Sequence, residues 1–425
     1  VRPSTTAEVS SFLLLCRRHG IRVVPQGANT GLVGASVPDG TGEMLVLSLE
    51  RLDRRLEIDV LDRTALVDGG VLLSTLNAAL SPHGLHFPVD LGADPQIGGM
   101  VATNTGGTRL LHYGDVRRNL LGVEVVLADG TVVDALSPLR KNNTGLDWKQ
   151  LFTGTSGLFG VVTGAVLQTA VLPRQRATAL VALADGEAAL DLLRSLEGGL
   201  SEVLTAFEVI SAGALEAVFR HQPNLRNPFA SVPPYAALVE ISSSFPETRL
   251  DLAAVLEETL EGHLEAHGEG VLDAVFGKPD TFWGIRHHVS ESLRGEGRVL
   301  AFDVAVPRPA LPAFTGAVKD WLARQHPFVR VCDFGHWGDG GTHLNLVWRD
   351  DEAGLPAAEL VPRLQERIYD LAVKDFRGSY SAEHGVGPHN QRFFDAFTPA
   401  PVKAAGAALK AHFDPEGRLG TARLW

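Results

Sequence analysis

Cysteine is nearly missing from this sequence: Cys16 and Cys332 are the only two, far apart and each in an apolar context. Two cysteines cannot build a disulfide framework or a thiolate metal site, so both read as small buried apolar residues in a chain suited to a reducing, cytoplasm-like compartment. Also missing is any run approaching the roughly 20 apolar residues of a membrane-spanning helix, and no signal peptide is visible. An excess of basic charge is missing too. With 38 Lys and Arg against 50 Asp and Glu, the net charge of −12 argues against a nucleic-acid partner and against docking on an anionic membrane. There is no initiator Met. Val1 stands inside a running pattern, so upstream residues, a targeting segment among them, are expected to have been lost.

What is present is a long, well-mixed globular sequence. A length of 425 residues with 45% hydrophobic content suggests two or three domains. Near the start, Thr5-x-x-Glu8 has the form of a capping box, and Val9, Phe12, Leu13 and Cys16 recur at helical spacing up to Gly20. Strands are expected at 21–24, 44–49, 56–60 and 65–71, with a helix over 74–80. Asp129-Gly130 joins two alternating strands in GVEVVLADGTVVDA, a strong hairpin signal. Pro173 marks a plausible boundary.

Beyond it the rhythm changes. Strands over 178–184, 204–210, 235–243 and 270–276 alternate with helices over 186–196 and 247–262. A second set runs from a strand over 299–306 to GSYSAEHG, with helices over 310–325 and 357–375. Each set has β-α-β-β-α-β order, which suggests a duplicated split βαβ sandwich.

Four glycine-rich loops lie in the first 170 residues: PQGANTGLVG, DLGADPQIGG, VATNTGG and GTSGLFG. Glycine allows positive φ and close backbone approach, so N–H groups can cradle phosphate oxygens. The spacing matches neither the dinucleotide fingerprint nor a Walker A loop. One such loop could be only a tight turn, whereas four suit a long diphosphate cofactor.

In GHWGDGGTHLNL, a four-residue turn over Gly338–Gly341 that pairs Trp337 with Thr342 would set His336 directly opposite His343, with Asn345 on the same face. Glu383 of SAEHG could complete a His₂-carboxylate set suited to Zn²⁺ or another divalent ion; the alternative is two hydrogen-bonded strand histidines. His384 is either a proton acceptor for a substrate hydroxyl or a packed histidine. Arg286 and Ser290 stand at i and i+4, on one face of an expected helix. There Arg286 is either a solvated charge or a bidentate clamp for a carboxylate.

These stretches, with PVDLGADPQIGGMVATNTGG, YGDVRRNLLGVEVVLADGTVVDAL and LRKNNTGLDWKQLFTGTSGLFGVVT, resemble the FAD-linked D-2-hydroxyacid dehydrogenases of the vanillyl-alcohol-oxidase-type flavoprotein superfamily. The likeness runs in order to about Gly387. It implies an α+β protein: a PCMH-type FAD-binding domain over 1–173, a larger antiparallel-sheet substrate cap over 174–388 with helices on one face, and a helical segment over 389–425 returning to the flavin side. By position it assigns FAD contacts to Pro25, Gly27, Asn29, Thr30, Gly31, Leu32, Gly34 and Ser36. Further contacts fall on Pro88, Gly92, Gly98, Gly99, Thr103, Asn104, Gly107, Gly154, Ser156, Gly157 and Val162. The first loop has no His or Cys for covalent attachment, so FAD is expected to be non-covalent.

The resemblance also implies metal ligands at His336, His343 and Glu383 and a carboxylate-binding role for Arg286. The expected reaction is oxidation of a small D-2-hydroxy acid, with His384 taking the hydroxyl proton and hydride passing to flavin N5. Three positions depart from the pattern. Ala301 stands where a lysine would hold a distal carboxylate, Gly341-Thr342 replaces Asn-Leu, and Gly420 replaces an asparagine near the C-terminus. The electron acceptor (quinone, cytochrome, electron-transfer flavoprotein or oxygen) is not encoded in these residues, and a homodimer stays open. Two other classes are carried: a non-catalytic flavin-binding subunit of an oxidase complex, and a metal-dependent hydrolase with no use for the glycine loops.

Overall fold

The computed structural model describes residues 1–425, which separate into two units: 1–107, 114–172 and 383–425 form the first, 108–113 and 173–382 the second. The first unit opens with the helix Thr6–Arg18, capped by the Thr5 side chain accepting from the Glu8 N–H. Its strand Arg22–Gln26 pairs in parallel with Met44–Ser48. A five-stranded sheet follows, in which Leu120–Val126 and Val161–Gln168 are central and antiparallel. The expected hairpin is present, with Gly130 at φ 87°, where a side chain would be strained. Two clusters form the core. One gathers Val67, Leu76, Phe87, Met100, Val123 and Phe152; the other joins Val9, Leu13 and Cys16 to Leu47 and Val161.

In the second unit one sheet of eight strands takes both expected halves. From one edge it runs Val271–Gly277, Gln175–Leu183, Tyr235–Ser243, Leu204–Ser211, Phe334–Gly335, Gly341–Trp348 and Arg298–Ala305, with Arg330–Val331 also paired to Gly341–Trp348. The α+β class is as expected. Leu204–Ser211 is buried at every position, so this strand is covered on both faces. The helices Ala212–His221, Pro279–His287 and Val289–Glu296 share one apolar cluster with Leu180, Ala206 and Leu238. Gly186–Leu200 and Leu252–His267 bring separate buried leucines, Leu192, Leu196, Leu256 and Leu260, to the sheet. The second half lacks its last strand: Ser379 makes only an isolated bridge to Ala305.

Candidate functional site: a glycine cradle and a buried carboxylate junction

Within the first unit the glycine loops meet. The Gly27 Cα faces Gly99 and the Gln96 side chain, and a Cβ added to Gly27 would stand 3.7 Å from Gly99 Cα. The helix Ile97–Thr103 lies tight on its neighbours, because a Cβ on Gly98 would meet the carbonyl oxygens of Val162 at 2.8 Å and Gly69 at 2.9 Å. The loop around Ser156 docks on the same helix through Gly154 N–H to Val101 and Ser156 N–H to Ala102. Asn29, Asn104 and Ser156 all hold positive φ, unusual for residues with a Cβ, alongside Gly34, Gly107, Gly154 and Gly157. Ser36 donates to Asn29 at 2.8 Å, and His389 holds the first loop through the Leu32 and Val33 carbonyls.

This arrangement fits an extended diphosphate cofactor. A Cβ on Gly31, Gly92 or Gly99 would meet no atom within 4 Å, so backbone lies open there. Beside it the Gln96 amide oxygen is buried with no hydrogen-bond partner. An unpaired buried acceptor costs free energy unless a ligand satisfies it. Gln96 was not singled out from the sequence, although it lies inside the DPQIGG motif.

The second unit holds the other part. Glu208, on Leu204–Ser211, accepts from Arg286 Nε at 2.5 Å and bonds His336 Nδ1 at 2.7 Å. Burial pushes the Glu208 carboxyl up, but the charges of Arg286 and His336 outweigh it and hold it at about 2. The Arg286 guanidinium also lies 4.7 Å over the Phe334 ring. Such a carboxylate fixes the imidazole orientation and directs Nε2 outward, as it does behind metal-ligating histidines.

His336 and His343 come together with ring centroids 5.0 Å apart, but not as directly opposed residues. The register pairs His343 with Phe334, two residues earlier. The reason is the turn: the His336 carbonyl accepts from both Asp339 and Gly341 N–H groups, which closes the loop early and leaves the histidines diagonal. His343 instead stands opposite Asp303, their ligand atoms within 4.8 Å of each other. Asp303, a lone acid in the apolar run VLAFDVAVP, went unnoticed in the sequence, as did Glu208 in TAFEVIS.

The Ala382 N–H donates to the Asp303 carbonyl at 3.1 Å, and Glu383 and His384 are the next two residues of the chain. Asn345 is buried and donates to the carbonyls of His343 at 3.0 Å, on its own strand, and of Cys332 at 3.4 Å, on the neighbouring segment. Ala301 pairs with Asn345 across the sheet.

The shared helix face expected for Arg286 and Ser290 is not formed. The helix Pro279–His287 ends at His288, whose ring bonds the Gly284 carbonyl at 2.7 Å, and Ser290 is exposed on the next helix. The His288 N–H and ring both bond that carbonyl, and the next helix starts at Val289, so Arg286 and Ser290 belong to different helices.

Residues 1–136 match the family model described as an FAD binding domain, and residues 172–423 match the C-terminal domain of FAD linked oxidases. Over 422 residues the chain is 33% identical to the mitochondrial D-2-hydroxyglutarate dehydrogenase of Danio rerio, covering 99% of this chain and 76% of that one. The chain belongs to the FAD-linked D-2-hydroxyacid dehydrogenase family. It is also 34% identical over 429 residues to a putative mitochondrial D-lactate dehydrogenase of Schizosaccharomyces pombe, covering 98% of this chain and 80% of that one. In solved structures the same fold occurs in an alkyldihydroxyacetonephosphate synthase, at TM-score 0.72 and 17% identity, with 98% of this chain and 75% of that one covered. No helix of the enzyme is long and apolar enough to cross a membrane.

Proposed function

We propose that this enzyme oxidises a small D-2-hydroxy acid to the 2-oxo acid, with the substrate held by Arg286 and a divalent cation. The observation that carries this reading is Glu208, one buried carboxylate that orients both Arg286 and His336. The glycine loops, with Gln96, would hold FAD, which when bound supplies the acceptor for the hydride leaving the substrate α-carbon.

His336, His343 and Glu383 would hold the cation, a His₂-carboxylate set of the kind that suits Zn²⁺. Asp303 stands beside His343 as a further oxygen donor. A bound cation would lower the pKa of the substrate hydroxyl. Arg286, half-sandwiched between Glu208 and Phe334, keeps a fixed guanidinium plane for the substrate carboxylate. His384 takes the hydroxyl proton. With Ala301 in place of a distal cation, the reading favours a monocarboxylate such as lactate over a dicarboxylate.

The test is an anaerobic titration of the FAD-loaded, metal-replete protein with D- and L-2-hydroxy acids. Bleaching of the visible flavin band by a D-monocarboxylate supports the reading. A flavin band that no hydroxy acid bleaches overturns it.

A further inference from the structure

The second unit contains a cavity of about 420 Å³ that the oxidation does not use. Its walls include Arg220, Arg330, Arg349 and Glu296, with Phe328 and Trp348 as apolar surface. Glu296 is the last residue of Val289–Glu296, and its carboxylate is 6% exposed. It accepts from Arg220 Nη1 at 2.6 Å and Arg330 Nη2 at 2.8 Å, and bonds His221 Nε2 at 2.7 Å. His221 gets close only because residue 295 is glycine: a Cβ there would stand 2.7 Å from the imidazole.

Three guanidiniums line this cavity with two carboxylates, Glu296 and Glu352, and Asp351 pairs with Arg349 beside it. Glu296 engages one nitrogen of Arg220 and one of Arg330, whereas a guanidinium carries five N–H donors. Arg349 is exposed and reaches only its chain neighbours, Asp351 at 3.3 Å and Glu352 at 3.9 Å. Such exposed pairs are weak and easily exchanged for a better anion.

The site is separate from the residues assigned to the reaction. Trp348 lies five residues along its strand from His343, roughly 17 Å at ~3.3 Å per residue. Likewise Arg330 precedes His336, and Glu296 closes the helix that follows the one bearing Arg286.

We propose that this cavity is a second ligand site, which binds a small oxyanion-bearing metabolite through Arg220, Arg330 and Arg349. The shared chemistry is an oxyanion, from either a phosphate or a polycarboxylate.

The test is calorimetric titration of the FAD-loaded protein at constant ionic strength, with inorganic phosphate in one arm and tricarballylate in the other. Saturable binding of either is expected, and the arm that binds identifies the source. Arg349→Ala should weaken it about tenfold, the scale of one charge-assisted contact at a half-open site. Glu352→Gln should tighten it by removing a like charge. No saturable binding in either arm overturns the proposal. So does binding that Arg349→Ala leaves unchanged, because the anion is then held elsewhere, the substrate site included.

Discussion

Arg286 donates through Nε to the Glu208 carboxylate at 2.5 Å, with the two side chains 9% and 1% exposed. Neither charge is tolerable there without the other. Glu208→Gln keeps the shape but leaves Arg286 buried without its counter-ion, at a cost on the order of 3 kcal/mol. Turnover should fall about a hundredfold with the flavin still bound, as read by chemical denaturation and by kcat/KM at measured flavin content.

Metal removal should act on the same centre from the other side. Chelation, or His343→Ala, is expected to abolish substrate-driven bleaching while the flavin band persists, and added Zn²⁺ should restore the chelated wild type only. Full activity in protein shown by elemental analysis to be metal-free would refute the cation's role.

Gln96 offers a contrast between binding and stability. Because its buried oxygen has no partner in the protein, Gln96→Leu should leave the apoprotein as stable as wild type or slightly more so. FAD affinity, measured by titrating apoprotein, should fall about tenfold. Equal affinity would detach Gln96 from the cofactor.

Gly98 behaves otherwise. Gly98→Ala forces a methyl against two backbone carbonyls, which cannot move like the end of a side chain. Overpacking of this kind costs about 1–3 kcal/mol. A lower Tm and a lower flavin-to-protein ratio should appear together.

Acid sensitivity should be traceable in part to Glu296. Burial pushes this carboxyl up, but hydrogen bonds from Arg330, Arg220 and His221 prevail and hold it down from 4.5 to about 2. A depressed carboxyl contributes stability that is complete above its unfolded value and fades as pH falls from about 4.5 toward 2. Arg220 and Arg330 are half exposed, so solvent screening reduces the contribution to on the order of 1–2 kcal/mol. Glu296→Gln should lower stability at neutral pH and flatten its slope across that window, as read by denaturant unfolding at a series of pH values.

Much of the fold was legible because it is local. Asp129-Gly130 announces its hairpin, and the strand expected over 235–243 forms at Tyr235–Ser243, since the apolar stretch Tyr235–Val239 directly after Pro233-Pro234 has few other homes. Local reading failed where distant groups compete. The helix Ala212–His221 was missed because it starts directly from a strand at Ser211, with no loop to mark it. The break at His288, which separates Arg286 from Ser290, carries no glycine or proline to mark it in the sequence.

By itself the sequence determined the glycine loops and the two histidines, because a positive φ and a metal-capable ring are properties of single residues. Only the tertiary structure decided that Glu208 stands behind both Arg286 and His336, that Asp303 faces His343, and that Glu296 gathers two arginines and a histidine. In sequence each is a lone acid, two of them inside apolar strands. What an isolated charge does follows from which opposite charges and donors the fold brings within about 3 Å of it, and residues 75 or more positions away supply most of them.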